Sequence, residues 1–82
     1  MKRKTHKLKI LRDHFIDVVA GEKRAELRKN DRDFKIGDFI VLQEFDNGAT
    51  TGDEHKVVIT HILAGGSYGL DKDYCILSIK SW

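Results

Sequence analysis

Proline is absent from this 82-residue chain, and cysteine and tryptophan each occur once. Cys75 has no partner within the chain, so no internal disulfide is available. Its place in the apolar run YCILSI makes it a small buried hydrophobe rather than a reactive thiol. No apolar run approaches the roughly 20 residues that span a bilayer. The basic start MKRKTHKLKI is not followed by the apolar core of a signal peptide. These absences point to a cytoplasmic protein that does not engage membranes. His6, His14, His55 and His61 are scattered, without the close Cys or His spacing that a structural zinc site needs. No metal and no cofactor is expected. Internal repeats and low-complexity segments are also missing.

What remains is 40% hydrophobic and 34% charged, the balance of a soluble globular protein. The length suits a single domain over residues 1–82, with residues 1–4 as a flexible basic tail. Net charge is only +2, so total charge argues weakly for a nucleic-acid partner. Its distribution says more. Lys2, Arg3, Lys4, Lys7, Lys9 and Arg12 form one basic cluster, and Lys23 to Arg32 a second. A single basic face results if the fold brings them together.

THKLKIL alternates, which predicts a half-buried strand with His6, Leu8 and Ile10 on its inner side. RDHFIDVVAG changes period and predicts a helix of two to three turns. Phe15, Ile16, Val19 and Ala20 form its apolar stripe, Asp13 caps it and Gly21 ends it. From Arg24 the period returns to two, with Ala25 and Leu27 inward and Arg24, Glu26 and Arg28 on the opposite face. FIVLQEF, HKVVITHIL and YCILSIK read as further strands. DNGATTGDE reads as a mobile hairpin loop and AGGSYGLDKD as a second glycine-punctuated one. The fold class is therefore mixed α/β and mainly β: five to six strands with one short helix after the first strand. Curling such a sheet into a small barrel protects its edges. An open helix-on-sheet arrangement is the competitor.

HKLKIL, the short helix ending in glycine, GEKRAELRKNDRDFKIGDFIVL and the late GGSYGL together resemble the ASCH domain of the PUA-like superfamily. Free-standing bacterial and phage forms of that domain are of about this size. The likeness runs from His6 to Ile79, and its most specific part is the spacing of Gly21, Lys23, Glu26 and Arg28, followed by Gly37 and Asp38. The resemblance implies a PUA-like β-barrel, a charged cleft beside the helix, and RNA or a modified nucleotide as partner. Some small bacterial members are amidohydrolases that deacetylate N4-acetylcytidine with a lysine, a threonine three residues on and a late glutamate. Lys23 matches that lysine. Glu26 stands where the threonine would, and no glutamate follows Glu54. The resemblance thus implies a binding module, with amide hydrolysis through Lys23 as the alternative.

The residues of GEKRAELRKNDRDFKIGD can do such work. Arg28 offers a planar donor fork, Lys23 a mobile point charge, and Glu26 can orient either or accept from an exocyclic amine. Lys29 and Arg32 would extend the basic rim. Gly66 would let the late loop approach a ligand, and Tyr68 would stack a base. Each has a plainer reading: a solvated charged face, a structural ion pair, a barrel-plugging tyrosine, turn glycines. Trp82 reads either as an exposed recognition residue or as packing for the last strand. A monomer or a weak homodimer through an edge strand is expected.

Overall fold

The computed structural model describes residues 2–82. Strand β1 (Thr5–Leu11) leads directly into helix α1 (Arg12–Val19), and four strands follow: β2 (Ala25–Lys29), β3 (Phe39–Asp46), β4 (Ala49–Ala64) and β5 (Tyr74–Ser81). They form one sheet in the order β1-β3-β4-β5-β2. β1 runs parallel to β3, and every other pairing is antiparallel. The sheet curls into a half-barrel that leaves β1 and β2 as its two edges.

The inner face is built from alternate residues. Leu8 and Ile10 of β1, Ile40 and Leu42 of β3, Val57 and Ile59 of β4, and Cys75, Leu77 and Ile79 of β5 form one core with Phe15, Val18 and Phe34. Burial pushes the Cys75 thiol above its ordinary pKa, as expected of a thiol used for packing. Truncating one of the fully buried side chains, such as Leu42 or Leu77, costs about 2–5 kcal/mol in comparable cores.

α1 is two turns long and lies against β3 and β1. Phe15 and Val18 are its buried residues, whereas Ile16 and Val19 are about half exposed. The apolar stripe is thus rotated from the expected one, because a helix starting immediately after β1 must turn Phe15 into the open barrel. Asp13 sits in the first turn without capping it, since the N-cap is Leu11 and makes no side-chain bond. Gly21, at φ +78°, ends the helix as its conformational freedom allows.

Two other expectations change. Asn47 and Gly48 both have positive φ and join Asp46 to Ala49 in a tight two-residue hairpin. Strand β4 resumes at once, so most of DNGATTGDE is strand rather than loop. The basic start is also anchored as far back as Arg3. The Lys4 backbone N–H donates to Asp38 Oδ1, its carbonyl accepts from Phe39, and the Arg3 guanidinium lies over the Phe39 and Trp82 rings.

Candidate functional site

β2 is inverted relative to its apolar pattern. Glu26 is 5% exposed and Leu27 is 59% exposed, so the charged side of the strand faces in. The register explains this. Glu26 and Arg28 stand opposite Leu77 and Cys75 on the inner face of β5, while Ala25 and Leu27 stand opposite Ser78 and Ile76. Inward placement brings Glu26 between two cations. Lys23 Nζ donates to Glu26 Oε1 and to the Ala25 carbonyl. Arg28 Nε donates to Glu26 Oε2 at 2.9 Å. Lys23 is set there by the turn after α1, in which the Glu22 and Lys23 N–H groups both donate to the Asp17 carbonyl.

The arginines also close the half-barrel. Among the described residues, β1 has no strand partner on its outer edge. The Arg28 terminal nitrogen donates to the Lys9 carbonyl at 2.8 Å, and Arg32 donates to the Lys7 carbonyl at 3.2 Å. Side chains thereby bridge β2 and its following loop to β1 where backbone pairing does not. An edge strand left bare would invite pairing with another chain.

At this seam lies a hollow of about 370 Å³, lined by Lys9, Ile10 and Leu11 of β1, His14 of α1, Lys23, and Glu26, Leu27 and Arg28 of β2. Lys23 also borders a second hollow of about 500 Å³ at the end of α1, where Val18, Val57 and Ile79 contribute apolar surface beside Thr60, Lys80 and Ser81. Both cations keep donors in reserve, since each uses only two of its N–H groups on protein acceptors. A buried carboxylate that fixes two partly exposed cations at the rim of a hollow is suited to an oriented anionic or hydrogen-bond-accepting group.

Of the residues singled out in the sequence, Lys23, Glu26 and Arg28 come together here and the others do not. Lys29 points to the outer face opposite Tyr74, and Arg32 serves the seam. Gly66 and Tyr68 lie in the loop between β4 and β5 and do not line this hollow. Tyr68 is 92% exposed, so it does not plug the barrel. The glycine this loop needs most is Gly65, where a Cβ would sit 1.9 Å from the Asp71 carbonyl oxygen. Lys9 and His14 line the hollow as well, although the sequence placed Lys9 only in a basic cluster and His14 only among scattered histidines. Lys9 belongs to an alternating strand and His14 to a helix start, and neither pattern carries a signal for the seam.

Asp38 forms a second buried polar centre. It accepts from the Lys4 and Lys35 backbone N–H groups, at 3.1 Å each, and from His6 Nε2 at 2.9 Å. Burial alone would push its carboxyl up, but these bonds outweigh it and hold the pKa below the ordinary carboxylate value. Phe34 packs edge-on against His6, with ring centroids 4.8 Å apart. This centre ties the start of β1 to the turn before β3. Among the described residues, no group of three or more His, Cys, Asp or Glu side chains is arranged to hold a metal ion. No helix among them is long and apolar enough to cross a membrane.

Residues 5–79 match the family described as a domain of unknown function, DUF3850, and the chain belongs to that family. An uncharacterized 12.9 kDa protein in the GpA 3′ region of Escherichia phage P2 is 39% identical over 62 residues, or 76% of this chain. The matched segment spans 57% of that relative's own length.

Proposed function

We propose that this DUF3850 domain is a PUA-like, ASCH-type module that binds RNA or a modified nucleotide in the hollow at the β1/β2 seam. The observation that carries the reading is the Lys23–Glu26–Arg28 clamp, a buried carboxylate holding two cations whose remaining donors border a hollow beside α1. The element order, with one helix after the first strand and a curled five-stranded sheet, supports the finer fold assignment. In this reading Arg28 presents its free donors to a phosphate or a base edge, Lys23 adds a second positive contact, and Glu26 keeps both in register. The apolar floor of the hollow at the end of α1 suits the body of a base.

Backbone amide shifts measured during titration with nucleoside monophosphates test this directly. Perturbations are expected at residues 9–14 and 21–28 and, around the base, at residues 57–60 and 79–81, and should vanish in Arg28→Ala. Perturbation elsewhere only, or none at millimolar ligand, overturns the reading. The amidohydrolase alternative is checked by incubating the folded protein with N4-acetylcytidine and following cytidine by chromatography. No cytidine is expected. Glu26 and the Ala25 carbonyl hold the Lys23 ammonium, and no hydroxyl side chain lines the hollow that Lys23 shares with Glu26 and Arg28. Appearance of cytidine would establish the enzyme reading instead.

A further inference from the structure

The outer face of the sheet carries a feature that the seam does not use. Two neighbouring rungs cross the sheet there: Thr5, Phe39, Val58 and Lys80 in one, and Lys7, Val41 and Lys56 in the next. Trp82 continues the second rung, donating its backbone N–H to the Lys56 carbonyl at 3.1 Å. Its ring lies edge-to-face against Phe39, at 4.8 Å between centroids, and stays 67% exposed.

Cations crowd these rings. The Arg3 guanidinium lies 5.1 Å from the Phe39 centroid and 5.5 Å from that of Trp82, and Lys56 Nζ is 4.2 Å from Phe39. One rung further along, Lys9 lies over Phe45 at 5.4 Å. Arg3, Lys7, Lys9, Lys56 and Lys80 take part in none of the ion pairs found among the described residues. The nearby acid Glu54 is bonded by Gln43 at 3.0 Å. A chain of net charge +2 therefore gathers on one face five cations without an ion-pair partner, one nearby carboxylate, Glu54, and an exposed indole. Self-repulsion makes that arrangement unfavourable unless an anion relieves it.

We propose that this outer face is a second binding surface, along which single-stranded nucleic acid lays its phosphates on Lys7, Lys56 and Lys80 and stacks a base on Trp82. Lysines at regular strand spacing track a backbone without reading sequence, and an aromatic ring beside them gives unpaired bases a platform. Arg3 stacks with the same rings and adds a planar cation to that platform. A duplex would gain the charge contacts but has no free base for Trp82. An acidic protein segment would gain the charges but not the stacking. Lys9 belongs to both places, since it also lines the seam hollow, so one strand can pass from the sheet face around β1. Lys80 likewise borders the hollow at the end of α1, whereas Trp82 lines neither hollow, so Trp82→Ala separates this surface from the reading that rests on Lys23, Glu26 and Arg28.

The experiment uses the intact chain and a labelled single-stranded RNA 12-mer, its DNA counterpart, the matching duplex and polyglutamate. Two readouts are followed: label anisotropy and the fluorescence of Trp82, the chain's one tryptophan. Single strands are expected to bind and quench Trp82. Lys56→Ala with Lys80→Ala should weaken binding about tenfold and flatten the salt slope by about 1.4, for two phosphates lost. Trp82→Ala should weaken it about fivefold or more. Both variants should keep the wild-type circular dichroism spectrum. If Arg28→Ala weakens binding while the double lysine variant and Trp82→Ala do not, the seam reading stands and this surface is overturned. The reverse pattern supports the surface and leaves the seam reading without support. Equal binding of duplex, or of polyglutamate at matched charge, without quenching of Trp82 also overturns it.

Discussion

Three carboxylates are buried among the described residues, Glu26, Asp38 and Glu44; Glu44 accepts from the Thr51 hydroxyl, and the surroundings of the other two could hardly differ more. Asp38, 3% exposed, accepts from two backbone N–H groups and a buried histidine, all fixed by the chain path where β1 begins and β3 follows a turn. Glu26 accepts from two long side chains that border a hollow. The first also borders a hollow, of about 610 Å³, but its donors are backbone N–H groups and a buried imidazole already committed to the carboxylate. The second holds its cations in place while leaving donors free. Burial of a charge therefore does not by itself mark a site. What distinguishes the two is whether the compensating donors are spent on the carboxylate, as the backbone N–H groups around Asp38 are, or belong to cationic side chains with donors to spare, as around Glu26.

Removing each carboxylate measures the contrast. Asp38→Ala leaves the buried His6 and two part-buried backbone donors without their acceptor, and a loss of about 3–5 kcal/mol in urea unfolding is expected for three donors at roughly 1–3 kcal/mol each. Glu26→Gln keeps one acceptor and leaves cations that water can reach, so about 2 kcal/mol is expected. Equal losses would erase the distinction.

Acid sharpens it further. The folded-state pKa of Asp38 is depressed, so its contribution is complete above the ordinary carboxylate range and is lost as pH falls through about 4 and below. The urea midpoint should therefore drop between pH 6 and pH 3, and Asp38→Ala should show a smaller drop. Asp33 is also depressed, chiefly by its hydrogen bond and charge contact with Lys35 and then by Lys4. It is exposed, so 0.5 M salt should remove its part of the acid response and leave the part due to Asp38.

The smallest expected effect tests the inversion of β2. Leu27→Ser should change stability by less than about 0.5 kcal/mol, because Leu27 faces solvent. A loss of about 2 kcal/mol or more would mean that Leu27, not Glu26, is the inward residue.

Much of the architecture was legible wherever the local pattern and the tertiary demand agree. β1 alternates and buries His6, Leu8 and Ile10, and β5 does the same with Cys75, Leu77 and Ile79. The pattern of β2 misled because Ala25 and Leu27 present the apolar alternation on the wrong side. A strand at the edge of a half-open barrel has little apolar surface to bury on its inner side. There, two bridging cations and the acceptor carbonyls of β1 decide which face turns in. Lys9, noted only within a basic cluster, and His14, weighed only as a zinc ligand, were not placed at the site for a related reason, since the hollow they line exists only where β1, α1 and β2 meet.

By itself, the order of residues determined the strand–helix–strand succession, the core positions of the central strands and the presence of a dense lysine–glutamate–arginine cluster. Periodicity and turn chemistry act within a few residues, so a linear reading captures them. Only the tertiary structure decided that β1 pairs in parallel with β3, that β1 and β2 are the edges, and that arginines from one edge bond carbonyls of the other. Those outcomes depend on groups distant in the chain meeting across a curled sheet, where the energy of satisfying a buried carboxylate and bare carbonyls outweighs the local preference of one short strand.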